Sequence, residues 1–126
     1  MKEKQFKFCQ MLGEFLVWLY QQGYQCQIGD AWRSTDKLKL PDSDTQMSYQ
    51  ELLLCNGKTK VKYGKHNDRL AIDLIISKDG NALNDEGYRP IGEKWESMGG
   101  VWGGRFGVKK EEYGNKIGWD ANHFEL

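Results

Sequence analysis

Apolar positions near the start of the chain recur at helical spacing. Phe8, Leu12, Phe15, Leu16 and Leu19 form one stripe within residues 3–22, and Gly23 follows as a stop. The spacing predicts an amphipathic helix that packs on a core. Tyr24 to Ile28 alternates in character and predicts a short strand, which delivers Gly29-Asp30-Ala31-Trp32-Arg33-Ser34. Residues 35–47 are polar, include Pro41 and read as a loop or flap, with residues 36–60 as a whole in the place of a lid. Ser48-Tyr49-Gln50-Glu51 has capping-box spacing and predicts a short helix over Tyr49–Leu54.

The second half alternates more clearly. Leu70 to Ser77 places Ile72, Leu74 and Ile76 on one strand face and Ala71, Asp73 and Ile75 on the other. A carboxylate in mid-strand between apolar neighbours is costly unless it is hydrogen-bonded or bound to a cation, so Asp73 calls for a partner. Lys78-Asp79-Gly80-Asn81 predicts a turn, and Tyr88–Met98 a second helix with Pro90 in its first turn and Gly99-Gly100 beyond its end. Trp119 to Leu126 follows a charged loop. As a strand it shows His123 and Glu125 on one face and Phe124 on the other.

Composition narrows the classes. The chain has 126 residues and neither repeats nor a linker, which predicts one domain over 1–126. Its formal net charge is +0, which disfavours a nucleic-acid or membrane-surface partner. No apolar run nears the roughly 20 residues that span a bilayer. The stretch Phe6–Tyr20 is broken by Gln10 and Glu14 and lacks a small-residue cleavage site, so we expect synthesis in the cytoplasm without a signal peptide. Cys9, Cys26 and Cys55 show no C-x-x-C spacing and are expected to be reduced thiols that pack as small apolar groups. Five Trp is a heavy load, and Trp95 and Trp102 share one glycine-rich segment that reads as a shaped wall as well as a core.

The chemistry centres on two histidines, the whole complement of the chain. His66 opens a run that reaches Asp73, and His123 closes Asp120-Ala121-Asn122-His123. A catalytic zinc takes three protein ligands and keeps one open position. His66, Asp73 and His123 satisfy that count. Asp120 is placed to act as general base, and Arg33 to hold a substrate carboxylate or a developing oxyanion. The blander alternatives are histidines with purely structural roles and an Arg33 stacked on Trp32 at the surface.

In combination these residues resemble the zinc D,D-peptidase family of the VanX and VanY enzymes and the peptidoglycan-cleaving phage endolysins. That family carries Ser-x-His-x-x-Gly-x-Ala-x-Asp and, later, an acidic-x-x-His motif. His66, Ala71 and Asp73 hold the matching places of the first, and Asp120 with His123 those of the second; Gly64 stands for the Ser and Arg69 for the Gly. Trp95 to Phe106 looks like the family's Trp-Gly-Gly approach to the last ligand.

The resemblance implies an α+β fold, a small antiparallel sheet with packed helices and the zinc site on the sheet surface, as in hedgehog and D,D-peptidase domains. It implies one zinc per chain on His66, Asp73 and His123, Asp120 as base, Arg33 at the transition state, and Arg33, Ser34 and Trp102 at the substrate. It further implies a hydrolase of peptidoglycan stem peptides, which we expect to be a monomer. Cleavage of L-Ala-D-Glu, as by an endolysin reaching the wall through a holin-type pore, is the first expectation. Release of terminal D-Ala by a carboxypeptidase or dipeptidase, and a non-catalytic zinc-binding recognition module, are the alternatives. Arg69 in place of Gly suggests a variant turn between the first two ligands.

Overall fold

Helix α1 spans Lys2–Gln21 in the computed structural model, which describes residues 1–34, 36–39, 46–48, 51, 53–54 and 64–126. Its buried residues are Phe8, Met11, Phe15 and Leu19, while Leu12 and Leu16 pack only partly. The inward face is thus rotated toward Met11 from the expected stripe. Gly23 ends the helix with a φ of 84° and donates its N–H to the Tyr20 carbonyl at 3.0 Å.

Five strands form an antiparallel sheet: β1 (Tyr24–Ile28), β4 (Ala71–Lys78), β5 (Asn81–Ala82), β6 (Val101–Trp102) and β7 (His123–Glu125). Their order is β1-β4-β7-β6, with β5 paired to the far end of β4. Asp79 (φ 52°) and Gly80 (φ 80°) make the two-residue connection between β4 and β5, and positive φ at both positions is the hairpin conformation that matches strand twist. Between β1 and β4, β2 (Lys37–Lys39) pairs with β3 (Gln46–Ser48) as a separate two-stranded sheet, where a loop is expected from composition. The Ser48 hydroxyl accepts the Glu51 N–H at 3.1 Å, so the predicted cap forms; Glu51, Leu53 and Leu54 are helical. The expected lid over 36–60 falls largely outside the described residues.

A 3-10 turn, Glu86–Tyr88, runs into helix α2 (Arg89–Ser97). The Tyr88 hydroxyl accepts the Ile76 N–H at 2.9 Å and donates to the Leu74 carbonyl at 3.1 Å, which ties the helix entrance to β4.

The core lies on one face of the sheet. Ile72, Leu74 and Ile76 from β4 and Phe124 from β7 pack with Phe15, Leu19, Ile91 and Trp95. Phe15 lies 5.0 Å from Trp95 and 5.1 Å from Phe124, ring to ring. Burial of one such side chain is worth about 1.5–3 kcal/mol, so each of these strands is anchored by alternate residues. The residues between them, Asp73 and His123, must then point to the opposite face. Cys9 and Cys26 are exposed rather than packed, a correction to the expectation from their type; Cys55 lies outside the described residues. Among the described residues, no helix is long and apolar enough to cross a membrane.

Candidate metal centre

Asp73 and His123 are register partners across β4 and β7, so their side chains meet on one face. His66 reaches them from the turn before β4. Asn67 shapes that turn: its Oδ1 accepts the Gly64 N–H at 2.8 Å, and its Nδ2 donates to the Arg33 carbonyl at 2.9 Å. Arg69 completes the turn with a φ of 60°. An L-residue there costs roughly 1–2 kcal/mol relative to the right-handed region, a cost Gly would avoid. Its guanidinium stacks on Trp32, 4.5 Å from the ring centre, and recovers part of that cost. The turn therefore stays tight despite the substitution.

Three donor atoms converge. His66 Nε2 lies 3.1 Å from His123 Nδ1, His66 Nε2 lies 3.2 Å from Asp73 Oδ1, and His123 Nδ1 lies 3.2 Å from the same oxygen. The outer nitrogens orient the rings. His66 Nδ1 faces the Ala31 carbonyl at 3.2 Å, and a carbonyl only accepts, so the proton sits on Nδ1 and Nε2 keeps a lone pair. His123 Nε2 is buried and faces Glu125 Oε2 at 3.3 Å, close enough for charge pairing but off-line for a hydrogen bond. That leaves His123 Nδ1 as the second lone pair and the Asp73 carboxylate as the third.

Three lone pairs at such distances repel unless a cation sits among them. Ligands about 2.0–2.1 Å from a tetrahedral zinc are about 3.3 Å apart, so the triangle has the size of one tetrahedral face. Two imidazoles and one carboxylate are a donor set that suits a zinc ion and leaves its fourth position open. His66, Asp73 and His123 thus form a candidate metal site, with both histidines buried.

The electrostatics point the same way. Where a proton takes the place of a cation, the lone-pair nitrogens become donors: burial pushes the Asp73 carboxyl up, but hydrogen bonds from protonated His123 and His66 and the charges of both rings outweigh it and hold the group down at about 2. Burial pushes His123 down, yet Asp73, Glu125 and Asp120 raise it to about 9. The cluster competes for positive charge, in the form of a proton or a metal.

Asp120 stands beside the triangle. Its Oδ2 lies 3.6 Å from His123 Nδ1. Burial, and after it the Asp73 charge, raise its carboxyl above the usual range, against the pull of His123, His66 and Arg33. Arg33 is buried, and its Nε donates to Asp30 Oδ2 at 2.8 Å while its Nη2 faces Asp73 Oδ2 at 3.6 Å. It does not stack on Trp32; Arg69 takes that place. The Ser34 hydroxyl accepts the Asp36 N–H at 3.0 Å.

Trp102 requires a correction. It is 0% exposed and offers no surface to a substrate. Its indole N–H donates to the Ala121 carbonyl at 2.6 Å, and that of Trp95 donates to the Glu125 carbonyl at 2.9 Å. The two indoles pin the backbone on either side of His123. The intervening glycines make room: a Cβ on Gly103 would lie 2.1 Å from the Asp120 carbonyl oxygen and 2.8 Å from the His123 Cβ. Phe106 then covers the His123 ring at 5.4 Å.

Asp30 and Glu125 were not singled out for roles at the site from sequence. For Glu125 the signal was present, because it shares a strand face with His123. Asp30 holds Arg33 through a three-residue turn that no periodicity announces.

A twisted antiparallel sheet with helices on one face and a His–Asp–His set on the other defines the class: an α+β metal-site domain of the kind the motifs imply. The crystal structure of the Serratia marcescens L-Ala D-Glu endopeptidase ChiX is similar, with a TM-score of 0.52 and 18% identity. The similarity covers 80% of this chain, which spans 65% of that structure's chain. No protein-family description matches the sequence, and no curated protein matches it.

Proposed function

We propose that this protein is a zinc peptidase that hydrolyses the L-Ala-D-Glu bond of peptidoglycan stem peptides. The observation that carries the reading is the convergence of three lone pairs, from His66, Asp73 and His123, beside a carboxylate that is not part of the triangle. The fold shared with an L-Ala D-Glu endopeptidase supports the choice of bond.

Zinc held by these residues would bring the pKa of a bound water to about 7 and polarise a carbonyl. Asp120 takes the proton from the attacking water and returns it to the leaving amine. Its raised carboxyl pKa suits both halves of that cycle. Arg33 is oriented by Asp30, which leaves its remaining N–H groups to hold an oxyanion or a substrate carboxylate. Glu125 orients His123, and the Ala31 carbonyl orients His66. A substrate in the wall places the site of action outside the membrane.

Mass spectrometry of purified muropeptides digested by the zinc-loaded protein tests the proposal. The expected products are peptides with a new D-Glu amino terminus. Loss of terminal D-Ala alone would replace the reading by a carboxypeptidase. Intact muropeptides beside bound zinc would leave a recognition module.

A further inference from the structure

One face of α1 points away from the core and is uncharged along its middle. Phe6 (66% exposed), Val17 (57%) and Tyr20 (82%) stand on it with Cys9, Gln10 and Gly13, all of them exposed. We propose that this face joins two copies of the chain as an antiparallel helix pair with Gly13 at the two-fold axis, in place of the monomer expected from sequence. The inference rests on no reading of the metal centre.

Gly13 is the first observation. Glycine inside a helix is destabilising relative to alanine. Among the described residues, a Cβ at Gly13 would meet nothing within 4 Å, so the fold of one chain gives no reason for a glycine there. Close approach of a second backbone does. The spacing names that backbone. Phe6 and Tyr20 lie seven residues before and after Gly13, the interval at which supercoiled helices meet, and Cys9 and Val17 lie four before and after it. A two-fold axis through Gly13 lays each Phe6 ring against the partner's Tyr20, with glycine on glycine between them. A face that matches itself when reversed is what an isologous dimer requires.

Charge favours the antiparallel sense. Lys2, Lys4 and Lys7 crowd the first two turns of α1, and its last turn holds no basic residue. Parallel copies would set the lysines side by side. Antiparallel copies set them near the carbonyl end of the partner helix, where the macrodipole is negative. Area sets the strength. An aromatic side chain buries about 150–250 Å², so at 66% and 82% exposure Phe6 and Tyr20 together offer about 220–370 Å² per copy. With Val17, Cys9 and Gln10 the two copies bury roughly 1,000 Å² in all, the lower end for a specific contact, which makes a reversible micromolar dimer. Because α1 covers the core side of the sheet, the two metal centres of the pair face outward, away from each other.

Analytical ultracentrifugation of the full chain from micromolar to millimolar concentration tests this. A reversible monomer–dimer equilibrium is expected. Gly13→Leu should raise the Tm of the dilute monomer, because leucine is the better helix former and its Cβ has room. The same change should weaken the dimer about tenfold or more, because two side chains then meet at the axis. Phe6→Glu and Tyr20→Lys should each weaken pairing as well. An equimolar mixture of those two variants should restore a one-to-one pair, since only the antiparallel register brings the new charges together. A monomer at every concentration overturns the proposal, and one that binds anionic phospholipid vesicles gives the face to a membrane instead. A dimer unmoved by Gly13→Leu, or a mixture that does not pair, places the contact elsewhere and overturns it equally.

Discussion

Asp73 and His123 oppose each other in register on β4 and β7, and Asp73 Oδ1 and His123 Nδ1 meet at 3.2 Å. Their neighbours Ile72, Leu74 and Phe124 are buried on the other face of the sheet. The same alternation that anchors the strands therefore presents two donor atoms side by side, and the turn at 65–69 adds the third.

His123→Ala removes one corner of the triangle. Purified without chelator, the unaltered protein should carry about one zinc per chain, and the variant should bind zinc more than about 100-fold more weakly, beyond the loss typical of an outer partner. Metal analysis and competition with a chromogenic chelator measure both. A folded, active protein without metal would refute the mechanism.

Glu125→Gln keeps the size of the side chain but removes the charge facing His123 Nε2 at 3.3 Å. Zinc affinity should fall by about 10–100-fold, the usual cost of losing an outer-shell partner. An unchanged affinity would show that the ring is oriented by packing alone, through Phe106 and the flanking backbone.

Asp120→Ala should retain zinc, since Asp120 is outside the triangle, and lose about 10²–10⁴-fold in kcat. Parallel zinc analysis and hydrolysis of a muropeptide separate the two effects. Full activity in this variant would remove Asp120 as the base.

Gly103→Ala adds one methyl group where the Asp120 carbonyl oxygen and the His123 Cβ already stand. Both are held, the first by the short segment to His123 and the second by β7. The overlap should cost about 1–3 kcal/mol of stability and weaken zinc binding with it. Chemical denaturation with a fixed zinc concentration reads the first, chelator competition the second. Wild-type values for both would mean that the backbone gives way without consequence.

The chelator-treated protein should lose stability in alkali. His123 is raised from 6.5 to about 9 in the folded chain, so the stability it contributes is full below pH 6.5 and lost as pH rises to 9. Asp73 is lowered from 3.8 to about 2, so its contribution is present above pH 3.8 and lost as pH falls toward 2. Zinc takes the place of the proton and binds deprotonated ligands, so the Tm difference between zinc-loaded and chelated protein should widen from pH 6.5 to 9. A Tm of the chelated protein that is flat or rising over that window would contradict the charge state assigned to His123.

Much of the site was legible because strand alternation is a local property. The run Ala71 to Ile76 shows Asp73 on the face away from Ile72 and Leu74 with no further information, and His123 is likewise opposite Phe124. The motifs around His66 and Asp120 supplied the remaining candidate ligand and the proposed base. Trp102 was misread because aromatic residues among glycines suit a binding wall and a packed interior equally well. Only distance separates the two, and the glycines prove to be there for the indoles and for the backbone of Asp120.

By itself the sequence determined which residues alternate, which carry lone pairs and carboxylates, and where helices and turns fall, since these follow from side-chain type and local period. The tertiary structure alone decided that three donor atoms lie within hydrogen-bonding distance of one another, that Arg33 turns to Asp30 while Arg69 takes Trp32, and that two indoles clamp the backbone around His123. These are relations between segments as far as 57 residues apart, such as His66 and His123. Sheet register and core packing set such distances, and no local pattern encodes them.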